Sequence, residues 1–333
     1  MCSPDSSFLA QDNFYVGALH VLSAIEVPIH LFGAYIVLSK TPLKMTSVKQ
    51  SMIILHLVGA FFDLYLSFIA MPVFTLPFCA GYPLGVSVTL GIPTVIQTYL
   101  GFCFLSTVVV AILSFFEDRY YVLINGPNHG RNWKRKAYIL CHYIFSYLFI
   151  LPAYFDIPDQ TVGKLAVLEG IPCFPPELLS RPGFFVMALD STIFLACAVS
   201  WSIIVTIEAL FFAISIAWKL SDNTSKSKIT NRLQKQFMVA LGIQVVVPII
   251  VLFLPALCII VSFLKSYYNQ GLTNLAFIAI NCHGITSTTT MLTVHRPYRD
   301  AVCDILHLKR TNRNKRNGSQ IWKTGAGGIG TSI

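Results

Sequence analysis

The stretch Phe115–Leu123, FFEDRYYVL, sets Glu117, Asp118 and Arg119 side by side, with Tyr120 next, at the end of a long apolar run. An arginine beside two carboxylates in so apolar a setting has two uses. It can close a helix as a local salt bridge at a membrane boundary. It can also form a two-state element, in which the arginine is held by a neighbour and released on rearrangement. Removing one member of a partly buried ion pair strands the other charge, so both uses are sensitive to substitution.

Further residues can carry chemistry. His56 and Asp63 lie seven apart, on one face of a helical segment, inside an apolar run. Ionisable groups there are costly and usually face the bundle interior. The pair reads as a polar hub between helices, with an ion or polar-ligand site as the alternative. Glu26 and His30 share a helix face at i,i+4 spacing, and Glu208 lies within a later apolar run. Gln97, Thr98, Asn281 and His283 are the candidates for lining a ligand pocket. Pro248 and Pro255, seven apart in FMVALGIQVVVPIIVLFLPALCIIVSF, each remove a backbone donor and favour a kink. In VHRPYRDAV, Pro297 ends one helix or opens the next. Tyr298, Val302, Ile305 and Leu306 then recur at helical spacing, as in a short amphipathic helix lying along a membrane surface.

The elements that must position these residues follow from composition. The 333 residues are 55% hydrophobic and 12% charged, against roughly 25% charged in soluble domains, and the mean hydropathy is +0.66. Seven apolar blocks reach the roughly 20 residues a bilayer-spanning helix needs: 14–38, 50–71, 92–116, 137–155, 189–218, 237–264 and 271–294. Apolar residues cover all faces of each block, which disfavours barrel strands. The expected fold is an all-α, seven-transmembrane helix bundle followed by a short amphipathic helix. Its expected divisions are residues 1–13 outside, 14–294 as the bundle, 295–308 as the juxtamembrane helix and 309–333 as a flexible cytoplasmic tail. Residues 1–13 contain no Lys or Arg, so the first block reads as a span and not as a cleaved signal.

Charge orients the bundle. Loops 39–49, 117–136 and 219–236 and the segment from 295 onward hold 21 of the 24 Lys and Arg. The positive-inside rule then puts the N-terminus outside and the C-terminus in the cytoplasm. The net charge of +9 is a topology signal. The cations are dispersed among short loops with no soluble module, which argues against nucleic-acid binding. The basic tail LKRTNRNKR has the composition of a lipid-touching or a solvated segment.

Cys103, Cys141, Cys197, Cys258 and Cys282 fall in apolar blocks as small packing residues. On the outer side, Cys79 with Cys173 would tie two outer loops, and Cys2 with Cys173 is the rival. Cys303 is a candidate for acylation or a free thiol. GAGGIG at Gly325–Gly330 has no preceding strand and only three residues after it, so it is not a dinucleotide loop. The final TSI fits a weak strand-addition motif for PDZ domains. There is no nucleophile elbow and no metal-spaced Cys/His cluster. No cofactor, metal or enzymatic activity is expected.

EDRY resembles the Glu/Asp-Arg-Tyr motif that closes the third helix of G-protein-coupled receptors. TPLKM with VK, LH…D, AGYPLG, FFEDRYY, IPCFPPE and HRPYRDAV, in that order over roughly residues 40–302, resemble the nematode chemosensory serpentine receptors, most closely class H. The resemblance implies a chemosensory receptor in sensory-neuron membranes, with the cilium as its expected place. It would detect a small environmental molecule and activate a heterotrimeric G protein. It makes Glu117, Asp118, Arg119 and Tyr120 an activation switch, and it makes His295, Pro297 and Tyr298 part of the inner coupling face. Pro248 and Pro255 would let the sixth helix swing. His295-Arg-Pro-Tyr298 stands where an Asn-Pro-x-x-Tyr is usual, and no cysteine opens the third span. A seven-span transporter or ligand-gated channel is the alternative function, but the two halves show no internal repeat of the kind common in transporters.

Overall fold

The computed structural model describes residues 7–42, 46–126, 133–171, 174–222 and 228–307. Cys2, Cys173, the basic tail, the glycine string and the terminal TSI lie outside them.

Among the described residues, seven long helices follow the seven apolar blocks: α1 (Asp12–Lys40), α2 (Thr46–Leu64), α4 (Thr94–Asn125), α5 (Trp133–Leu148), α8 (Thr192–Asp222), α9 (Lys228–Leu264) and α10 (Gln270–Val294). Short helices α3 (Val86–Thr89), α6 (Leu151–Tyr154) and α7 (Gln160–Gly170) sit in the connections. A ten-residue helix, α11 (Arg296–Ile305), follows α10 with proline in its first turn. Five helical segments among the described residues are long and apolar enough to cross a bilayer: Asp12–Lys40, Lys49–Ile69, Thr94–Asn125, Trp133–Tyr154 and Thr192–Leu220. The outward sides of α8 and α9 carry Ile207, Phe211, Ile250 and Phe253 in the open, as surfaces solvated by lipid do.

Helix α4 is the central strut and packs on α2, α5 and α8, while α1 packs on α2 and α10, and α9 packs on α10. It runs nine residues past the block read from the sequence, which ended at 116. EDRY therefore lies inside the helix and not on its final turn. The reason is local: after Arg119 come Tyr120, Tyr121, Val122, Leu123 and Ile124, all able to continue a helix. The stop comes at Gly126, whose φ of 78° is in a region that favours glycine.

The helical bundle also carries a small three-stranded antiparallel sheet. Strands β1 (Pro72–Phe74) and β2 (Cys79–Pro83) form a hairpin, and β3 (Phe185–Ala188) pairs with β2. Val73 faces Tyr82 and Gly81 faces Phe185. With α7, the sheet buries a cluster of Tyr15, Met71, Val73, Tyr82, Ile171, Phe174 and Val186 against α1 and α10. Side chains also fasten it. Tyr15 donates to the Pro72 carbonyl at 2.9 Å, and Gln270 donates to the Phe74 carbonyl at 3.1 Å. Asp12 at the start of α1 accepts from Tyr82 at 2.8 Å and pairs with Arg181 at 2.7 Å. Cys79 is a free thiol at the start of β2, and burial pushes it up to about 11. Its expected partner, Cys173, is outside the described residues.

Candidate functional site

The EDRY acids belong to a network that the sequence did not display. Glu117, Asp118 and Arg119 are each only 6% exposed. Arg135, on the first turn of α5, reaches both carboxylates. Its Nε donates to Glu117 Oε1 at 2.5 Å, and its Nη2 donates to Glu117 Oε2 at 2.6 Å and to Asp118 Oδ1 at 2.9 Å. The guanidinium also lies 4.1 Å from the centre of the Tyr121 ring. The remaining Asp118 oxygen, Oδ2, accepts from Ser51 Oγ of α2 at 3.0 Å. Arg119 Nη2 donates to the same Ser51 Oγ at 3.5 Å, with its guanidinium 5.1 Å from the Phe115 ring. Ser51 therefore links Arg119 to Asp118, while Arg135 spans the two acids. Arg119 does not stand at a water-facing helix end, because the helix continues for six residues beyond it. Tyr120 points elsewhere and packs on Phe211 and Phe212 of α8.

Arg135 and Ser51 were missed. Arg135 sits in a run with Arg131, Lys134 and Lys136, which reads as a membrane-boundary charge. One signal was available. Arg135, Tyr138 and His142 recur at helical spacing, and that face of α5 meets α4 and α8. There Tyr138 donates to Glu208 of α8, and His142 lies 3.0 Å from the same carboxylate.

The residues after α10 pack into the same end of the bundle. Pro297 falls in the first turn of α11. Tyr298 is fully buried among Ile36, Val37, Met52, Phe115, Met291 and Leu292. Its hydroxyl is 3.0 Å from Thr41 Oγ1 and 3.5 Å from Met52 Sδ. His295 Nε2 lies 2.9 Å from Gln244 Oε1 of α9, and its ring is 5.6 Å from that of Tyr298. Phe115 thus touches both the Tyr298 cluster and Arg119. Pro248 and Pro255 both lie inside the continuous helix α9.

A second polar centre joins α1, α2 and α10. Asp63, 3% exposed, has Oδ2 at 3.4 Å from His30 Nε2 and Oδ1 at 3.8 Å from His283 Nδ1. His30 Nδ1 lies 3.0 Å from Thr288 Oγ1, and His56 Nε2 lies 2.9 Å from the His30 carbonyl. Glu26 Oε2 accepts from Ser67 at 3.1 Å, and Ser23 donates to Ser67 Oγ at 2.8 Å. A π turn over Tyr65–Ile69 carries Ser67 to this position. A Cβ at Gly284 would fall 1.9 Å from Asp63 Oδ2. The centre is closely packed, as an interhelical hub is, and His283 belongs to it.

The other pocket candidates separate. Gln97 does not face an open cavity: its Oε1 accepts from Ser87 at 2.6 Å and its Nε2 donates to the Ile92 carbonyl at 2.7 Å. It ties the short helix α3 to the start of α4. Thr98 accepts from Tyr154 at 2.9 Å. Asn281 donates to the Phe277 carbonyl at 2.8 Å, and its buried Oδ1 has no hydrogen-bond partner among the described residues. Among the described residues, no group of three or more His, Cys, Asp or Glu is placed to hold a metal ion.

Comparison with known proteins gives three findings. The profile of the family described as "Serpentine type 7TM GPCR chemoreceptor Srh" matches residues 10–308. A Caenorhabditis elegans protein, "Serpentine receptor class H-72", is 27% identical over 304 residues, which is 90% of this chain and 87% of that protein. Squid rhodopsin superposes with a TM-score of 0.51 at 11% identity, over 89% of this chain and 86% of its own. That likeness concerns the fold alone.

Proposed function

Because the chain belongs to the Srh family of serpentine seven-transmembrane chemoreceptors, we propose that it detects a small environmental molecule and activates a heterotrimeric G protein at the inner end of α4. Membership makes it a multi-pass membrane receptor of the G-protein-coupled kind. The proposal adds the ligand class, the coupling face and the orientation, with the N-terminus outside and the C-terminus in the cytoplasm. The 21-to-3 distribution of Lys and Arg supports that orientation. It places the protein in the plasma membrane, with the sensory cilium as the family's expected site.

One observation carries the reading. The buried Glu117–Asp118–Arg119 run is joined through Ser51 to α2, through Arg135 to α5, and through Phe115 to the Tyr298 cluster of α1, α10 and α11. A movement of any of these helices changes the environment of Arg119. A ligand bound among the outer halves shifts the equilibrium only by its difference in affinity between the two arrangements. Pro248 and Pro255 weaken the backbone ladder of α9, the helix proposed to move outward. Ile305 at the end of α11 and Leu306 just after it are in the open, so we assign α11 to the inner lipid surface.

The test is nucleotide exchange on purified G protein by wild type and Arg119→Ala in nanodiscs, with odorant mixtures. The reading requires ligand-dependent exchange that the variant loses while its folded yield is unchanged. Full exchange by Arg119→Ala would exclude this role for EDRY.

A further inference from the structure

We propose that the junction of α5 and α8 is a lipid-facing site for a lipophilic primary amine, with Glu208 as the carboxylate that takes the ammonium group and His142 as the residue that shares its proton. The inference rests on the chain being a membrane-spanning bundle and stands apart from G-protein coupling.

Three features of the geometry point this way. First, the carboxylate is out of reach of water. Glu208 stands twelve residues from Leu220 and sixteen from Thr192, the ends of its span, or about 18 and 24 Å along the helix axis. Its side chain is 33% exposed, with Ile204, Ile207 and Phe211 in the open around it. Ionisable groups within a span almost always face the bundle interior, whereas this one shows an edge to hydrocarbon. Second, Glu208 and His142 hold one proton between them. His142 Nδ1 is 3.0 Å from the Tyr138 carbonyl, which can only accept, so Nδ1 carries a hydrogen. Nε2 lies 3.0 Å from Glu208 Oε2. Two lone pairs repel at that separation, so a further proton sits on one of the two atoms, and the pair is neutral as a unit. Tyr138 donates its hydroxyl to the same oxygen. Glu208 Oε1 accepts no hydrogen bond among the described residues. On α4, Glu117 is already taken by Arg135 and adds no unpaired charge nearby. Third, aromatic rings run on from the carboxylate. Trp201 lies seven residues before Glu208, on the same side of α8 and about 10 Å along its axis. Its Nε1 donates to Ser106 Oγ at 2.7 Å, and its indole stacks with Phe145 and Phe149 of α5 at 6.0 and 6.1 Å. An amine with an apolar tail of about that length lays the tail along these rings and its nitrogen at Oε1, close to rings whose faces attract cations.

A neutral amine dissolved in the bilayer keeps the charge balanced throughout. It takes the shared proton onto its nitrogen. Glu208 becomes the carboxylate partner of the ammonium, and His142 is left neutral, with Nε2 able to accept a second ammonium hydrogen. No proton enters or leaves the site, and no unpaired charge is created among lipid tails. An alcohol of the same length cannot take that proton, so the site separates amines from alcohols.

The experiment uses the full chain in nanodiscs of neutral phospholipid. It measures binding of radiolabelled octylamine with empty discs subtracted, and of 1-octanol as the matched alcohol. It compares wild type, Glu208→Gln and Ile204→Trp. Ile204 is 48% exposed and lies one turn before Glu208, so a larger side chain there fills the space before the carboxylate and leaves the α5–α8 link intact. Infrared difference spectra on octylamine addition follow the imidazolium and protonated-carboxyl bands. Thermal unfolding in the same discs establishes that each variant is folded.

The expected results are saturable octylamine binding by wild type, about tenfold or more tighter than octanol, as for a charge-assisted hydrogen bond. One of the two infrared bands disappears as the amine binds. Glu208→Gln and Ile204→Trp each weaken octylamine by about tenfold or more, and Glu208→Gln shows no band change. If Glu208→Gln does not fold, Ile204→Trp carries the test. Equal binding of octylamine and octanol, or wild-type octylamine binding in the folded variants, overturns the site and leaves an apolar surface. No saturable octylamine binding by folded wild type also overturns it and leaves Tyr138, His142 and Glu208 as a structural tie between α5 and α8.

Discussion

Replacing Gly284 by alanine tests the packing of the α1–α2–α10 polar centre. A Cβ there would lie 1.9 Å from Asp63 Oδ2 and 2.4 Å from its Cγ, where ordinary contact begins at 3.4 Å. Asp63 cannot yield freely, because it lies between His30 at 3.4 Å and His283 at 3.8 Å and is 3% exposed. Overpacking a tight interior costs about 1–3 kcal/mol. At some 2 °C per kcal/mol for a chain of this size, a fall in Tm of about 2–6 °C follows. The assay is thermal unfolding in nanodiscs at a fixed scan rate, for Gly284→Ala, Asp63→Ala and the double variant. Asp63→Ala removes the clashing atoms, so Gly284→Ala should cost far less in that background, giving a coupling well above the roughly 0.5 kcal/mol expected of independent sites. A Tm within 1 °C of wild type for Gly284→Ala, or strictly additive effects, would refute the close-packed hub.

Two further predictions concern α11 and α7. Tyr298→Phe keeps the buried ring but removes the hydroxyl near Thr41 and Met52, so it should cost about 1 kcal/mol. Equal Tm values would show that α11 is anchored by the ring alone. At the start of α7, Asp159 accepts from the Val162 and Thr161 amides, which holds its carboxyl below the ordinary 3.8. A depressed carboxyl stabilises above its unfolded value, so this cap is in place at neutral pH and is lost as the pH falls below about 3.8. Amide protection in α7, corrected for intrinsic rates, should fall through that window in wild type and be low and flat in Asp159→Ala. Identical profiles would remove the cap from the account.

The spans were legible because length and apolarity alone determine them in a bilayer. His56 and Asp63 were legible for the same reason, since a polar residue in an apolar run has few places to go. The tie from Gln97 to Ser87 was not legible, because Ser87 lies on the four-residue helix α3, which is too short to leave a periodic signal. The three-stranded sheet was hidden likewise. Its strands are three to five residues long, and β3 joins the hairpin across about a hundred residues. The end of α4 was set too early because three charges looked like a boundary, and their compensation by Arg135 depends on which of four neighbouring cations turns inward. That choice is fixed by the register of α5 and not by composition.

The central claim is that ligand binding to this chain turns over a G protein through the inner end of the bundle. The most direct measurement places wild-type protein in sealed vesicles with a panel of heterotrimers. It records nucleotide exchange and ion or solute flux from the same sample under odorant mixtures. The account predicts stimulus-dependent exchange without flux. Flux without exchange would contradict it and assign the seven helices to transport.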